Sequence, residues 1–81
     1  MSNNRYLSGQ LCKVIDPYGL MVINDSSNFM LKTNSMFVII TRKHFGFYYD
    51  DEELLLIFAN DKIGYIHLNN FETYRICQII Q

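Results

Sequence analysis

The sequence predicts an all-β domain of about five to seven short, mostly antiparallel strands. Runs of four to seven β-favouring residues recur along the chain, separated by Asn, Asp, Ser and Gly, and helical periodicity is almost absent. Six Tyr and six Phe among 81 residues are a heavy aromatic load, and aromatic and β-branched side chains favour strands. From Lys62 the side chains alternate: Ile63, Tyr65 and His67 on one face, Gly64, Ile66 and Leu68 on the other. A period of two is the mark of a sheet packed on one side.

The first run is Leu11-Cys-Lys-Val-Ile15. It ends at Asp16-Pro-Tyr-Gly19, which suits a type I turn because Asp opens it, Pro fixes φ at the second position and Gly takes the fourth. The return as Leu20-Met-Val-Ile-Asn24 predicts a hairpin. Residues 25–28 read as a loop, 29–31 as a short strand and 32–35 as a turn into Met36-Phe-Val-Ile-Ile-Thr41, the clearest buried strand. Residues 42–45 are polar enough to turn the chain, and 47–49 read as extended. Asp50-Asp-Glu-Glu53 is a charged break before Leu54-Leu-Leu-Ile-Phe-Ala59.

Acidic residues ahead of a Leu run also suit a helix start. The stop at Asn60-Asp61 after six apolar residues favours a strand instead. Leu68-Asn-Asn-Phe71 suits a single 3₁₀ turn, and residues 74–80 close the chain as a last strand. The expected core is Val38, Ile40, Leu55, Ile57 and Ile66. So many short strands in one small domain predict a barrel or sandwich, since closure removes exposed edges.

One domain is all that 81 residues allow. Seven basic and eight acidic residues give a net charge of −1, without the basic excess that a phosphate-backbone binder shows. Cys12 and Cys77 lie near opposite ends of the chain. Terminal strands that pair would permit a disulfide, against the plainer reading of two small buried hydrophobes. The cysteines and histidines lack metal-ligand spacing, so neither metal nor cofactor is expected. No apolar leader opens the chain and no run is long enough to span a membrane; a cytoplasmic protein is expected. The Asn- and Ile-rich usage is compatible with an AT-rich genome, viral or bacterial.

Three stretches carry a family resemblance. Val14-Ile-Asp-Pro-Tyr18 is similar to an Ala-Leu-Tyr-Asp-Tyr opening. Residues 29–40 are similar to a Leu-Ser-Phe-Lys-x-Gly-Asp stretch with its following strand. Gly64-Tyr-Ile-His-Leu-Asn-Asn-Phe71 is similar to Gly-Tyr-Ile-Pro-Ser-Asn-Tyr-Val. Residues 11–76 thus resemble the SH3-like barrel family. The resemblance implies a barrel domain over residues 11–81 behind a partly ordered arm at 1–10. It also implies a binding function, because that family uses an aromatic-lined groove for proline-rich peptides. The groove Trp is absent here, and His67 and Asn70 stand where the groove Pro and Tyr are expected. The usual ligand is therefore not implied. Residues 16–25 are also similar to the strand-turn-strand of the Sm-like RNA-binding family, but the helix and strand expected before it and the later Arg-Gly motif are missing.

Enzyme chemistry has little support. A nucleophile–base pair would need Cys12, Cys77 or a Ser beside His44 or His67, and nothing in the sequence brings them together. The acidic run at 50–53 lacks the Gly and spacing of a calcium loop. Binding is better supported. Phe45-Gly-Phe-Tyr-Tyr49 puts four aromatics in five positions directly before four acids, and Tyr-rich patches give large contact area at low entropy cost. The expected function is a non-enzymatic protein–protein interaction module, fitting a small viral or bacterial inhibitor or regulator. It would act through Tyr18, Phe47, Tyr48, Tyr49, Asp50 and Asp51 on a partner with a basic surface. A homodimer that buries the aromatic patch is a further expectation. The alternative is a small nucleic-acid-binding β-barrel using Arg42 and Lys43 with aromatic stacking.

Overall fold

The computed structural model describes residues 8–46 and 51–81. Seven strands and one helical turn follow in order: β1 (Leu11–Val14), β2 (Leu20–Val22), β3 (Phe29–Leu31), β4 (Met36–Gly46), β5 (Asp51–Ala59), β6 (Lys62–His67), α1 (Asn69–Glu72) and β7 (Cys77–Ile79). All strand pairings are antiparallel, so the all-β expectation holds. Residues 54–59 are strand, not helix.

Five strands form one sheet in the order β6-β5-β4-β1-β7, and β2 and β3 form a separate ladder. The two meet at one bridge, where Ile23 and Tyr65 exchange backbone hydrogen bonds of 2.8 Å in both directions. The sheets do not close into the expected barrel. Closure would need a continuous ladder around the sheet, and here β2 reaches β6 through that single bridge, with no pairing between β3 and β7.

The turn at residues 16–19 forms as predicted: the Gly19 N–H donates to the Asp16 carbonyl, and the Tyr18 N–H donates to Asp16 Oδ2. The predicted hairpin does not. Both edges of β1 are taken, by β4 and β7, so the chain leaves the turn into the second sheet and β2 pairs with β3. Gly19 permits that exit. Its φ is +87°, and an added Cβ would lie 2.5 Å from the Leu31 carbonyl oxygen.

β4 runs on through residues 42–45, where the sequence predicted a turn, because β5 pairs with it as far as Gly46↔Asp51. The predicted acidic break is accordingly shorter: Asp51, Glu52 and Glu53 belong to β5. β5 and β6 join through Asn60 and Asp61, with φ of +53° and +63°, the left-handed pair that a two-residue type I′ hairpin demands. The expected turn at 68–71 is a short α-helical turn opened by an i→i+3 bond from the Phe71 N–H to the Leu68 carbonyl. The last strand starts later than residue 74. Arg75 has φ +54°, and the Ile76 N–H donates to the Asn70 carbonyl, so strand pairing resumes only at Cys77.

The core lies between the large sheet and the β2–β3 ladder. Cys12, Val14, Leu20, Val22, Leu31, Phe37, Ile39, Leu55, Ile57 and Ile66 are fully buried, with Phe71 capping one end edge-on to Phe37 at 6.3 Å. Leu55, Ile57 and Ile66 are where the sequence put them. Val38 and Ile40 are not, since β4 turns Phe37 and Ile39 inward instead. Five successive apolar residues leave the phase of the strand unwritten. A bulge at Ile40, between the pairs Ile39↔Ile57 and Thr41↔Leu56, then reverses the alternation.

Candidate docking surface

On the outer face of the large sheet, one row is apolar from edge to edge. It crosses four strands and ends at the residue after β7: the Ile80 N–H bonds the Leu11 carbonyl, and Leu11 pairs with Val38, Val38 with Phe58, and Phe58 with Ile63. Phe58 is 45% exposed and Ile63 52%. The next row past the bulge sets Leu56 beside Tyr65, which pairs in turn with Ile23. Met36, 44% exposed, borders the first row on the other side, opposite Lys13. On the second sheet, exposed Met21 and Met30 face each other across β2 and β3 on the side turned away from the core. Among the described residues at positions 36–41 of β4 and 54–59 of β5, and in β1 and β6, Lys13 is the single charged residue on the large sheet's outer face, with His67 half-buried opposite Leu54; past the bulge the register adds the positions of Lys43, opposite Leu54, and Glu52, opposite Phe45.

This arrangement follows from the sequence. Residues 36–40 and 54–59 are apolar at consecutive positions, so strand geometry must put apolar groups on both faces. One face is consumed by the core. The other faces water, whereas an antiparallel sheet with a solvated face ordinarily alternates apolar and polar residues.

The sequence-predicted contacts distribute elsewhere. Tyr18, 88% exposed, stands at the tip of the turn between the sheets. Phe47, Tyr48, Tyr49 and Asp50 lie outside the described residues, and Asp51 is the first residue of β5. Of the pair proposed for nucleic acid, Arg42 closes an ion pair with Glu53 on the diagonally opposite position of β5. Lys43 follows it in β4, opposite Leu54. Arg42 is thus partly neutralised. Sequence reasoning did not single out Val38, Leu56, Phe58 or Ile63 as binding residues, although the unbroken apolar runs carried that signal.

Cys12 and Cys77 occupy adjacent strands and are buried, free thiols. Burial pushes the Cys12 thiol up to about 11 and Cys77 up to about 12, the latter raised further by the charges of Cys12 and Asp16. Both point inward, while His67 lies on the outer face. The sheet therefore separates them. Among the described residues, His, Cys, Asp and Glu form no metal-holding group of three, and no helix is long and apolar enough to cross a membrane.

No family model, curated protein or solved structure matches the chain, so its reading rests on these residues.

Proposed function

We propose that this chain is a non-enzymatic protein–protein interaction module that docks through the outer face of its five-stranded sheet. The observation that carries it is the uninterrupted row Ile80, Leu11, Val38, Phe58 and Ile63. Large contiguous apolar patches on small proteins mark interaction sites, and aromatic and Met side chains are enriched at interface centres. Tyr18 and residues 47–51 remain proposed as a flanking contact, where an acidic stretch would favour a basic rim on the partner. Roles as an inhibitor or regulator need no more than such docking. The SH3-like resemblance supports an adaptor-type protein through the short strands and the helical turn before β7; the open sheet counts against a strict family fold.

The test is site-specific photocrosslinking in the cell of origin, with benzoylphenylalanine in place of Phe58 and, separately, of Tyr18. Strong protein adducts from position 58 are expected. If neither position yields a protein adduct, while an Arg42/Lys43 double substitution abolishes retention on single-stranded nucleic acid, the nucleic-acid reading replaces this one.

A further inference from the structure

We infer that the occupant of the outer sheet face is a second copy of this chain, packed sheet to sheet as a symmetric dimer. The inference rests on the docking reading above and adds the identity of the partner.

Size is the first argument. The five strands carry 33 residues, 4 in β1, 11 in β4, 9 in β5, 6 in β6 and 3 in β7, which at about 3.3 Å per residue and about 4.8 Å between strands present a face of about 500 Å² in projection. Two such faces, with Phe58, Ile63, Met36 and Ile80 standing out in relief, bury about 1,000 Å² in total, the size at which a specific interface begins.

Charge is the second. A face that pairs with itself meets its own charges, so like charges near its centre would repel. The positions at the centre of this face, Val38, Leu56 and Phe58 on β4 and β5, are apolar; the charged positions border them, Lys13 on β1 opposite Met36, and Lys43 and Glu52 at the end of β4 and β5 beyond the bulge. A face adapted to a different charged partner would be expected to carry complementary charges for register. Here the described centre offers shape alone, which two identical twisted sheets supply by packing about 10 Å apart with their side chains interdigitated.

Closure is the third. An exposed apolar sheet face invites indefinite association, whereas a two-fold contact uses the same patch on both copies and leaves none over. The dimer also explains why residues 36–40 and 54–59 are apolar at consecutive positions. Both faces of those strands are then interior.

Sedimentation equilibrium of the purified chain tests this from about 1 to about 100 µM, a range in which linkage makes a micromolar dimer visible. The expected result is a mass of twice 9.6 kDa at the upper end. Phe58→Asp should weaken the dimer at least about 30-fold, the scale of a hot-spot residue, and Phe58→Leu should retain it. Benzoylphenylalanine at position 58 of the purified chain should crosslink to outer-face residues of the second copy, such as Val38 or Met36. A wild-type chain that stays at 9.6 kDa throughout, or a dimer whose crosslinks avoid β4, β5 and β6, overturns the inference, and neither outcome depends on a variant that must fold. A monomer that still forms adducts with a different protein in cells ends the dimer and keeps the docking reading. A monomer without adducts ends both.

Discussion

Gly64 lies so close to Val22 that a methyl group on its Cα would sit 2.5 Å from the valine Cγ1 and 2.8 Å from the Ile23 carbonyl oxygen. This is where β2 crosses β6 and where the Ile23–Tyr65 bridge joins the two sheets. Val22 is fully buried and cannot give way cheaply. Gly64→Ala should therefore cost about 1–3 kcal/mol, the range of core overpacking. Amide exchange at Ile23 and Tyr65 should accelerate before the rest of the large sheet. Unchanged exchange at both amides would show that the junction is looser than the geometry states.

Truncation should separate the two faces. Leu55→Ala and Ile57→Ala remove fully buried side chains and should each cost about 2–5 kcal/mol in denaturant unfolding. Val38→Ala removes a half-buried outer side chain and should cost markedly less in the monomer. Equal losses at positions 38 and 57 would mean that the outer face is already covered.

The ion pair of Arg42 with Glu53 is about one-third exposed at both ends. Its coupling in a double-mutant cycle should be small, about 0.2–1 kcal/mol, and should shrink between low salt and about 1 M salt. A coupling that ignores salt would place the pair in a drier setting than its exposure implies.

The thiols make an alkaline prediction. Cys12 and Cys77 titrate near 11 and 12 when folded and nearer 9.0 otherwise. Between those values the unfolded chain has released the protons that the folded chain holds, so stability falls as pH rises. Present in full below pH 9, the contribution should fade above it by up to about 1.4 kcal/mol per pH unit per thiol. Replacing both cysteines with Ala should flatten that slope. Thiol reagents should label neither residue at neutral pH until the protein unfolds.

Much of the local structure was legible in the sequence. Asp16-Pro-Tyr-Gly19 specified its turn, Asn60-Asp61 punctuated β5 and β6, and Leu68-Asn-Asn-Phe71 gave a helical turn. Strand partners were not legible. A turn reverses the chain without fixing which edge comes next, and β1 found β4 and β7 rather than β2. Nor was the phase of β4, because Met36 to Ile40 offers no polar residue to mark the outside and the bulge resets the count. The docking face escaped for a related reason: an apolar strand residue reads as core until the opposing layer is known.

The pairing of Cys12 with Ile79 and Val14 with Cys77 has a consequence for biosynthesis. β4, β5 and β6 are sequential neighbours whose pairing closes short loops, the fast kind of contact. β1 can add to β4 once that meander exists. Its other edge must wait for β7, made last of the seven. Until then a growing chain presents β1 with that edge bare, carrying the buried-type Cys12, a template for pairing with other nascent copies. Pairing with β7 closes that edge and ends the window.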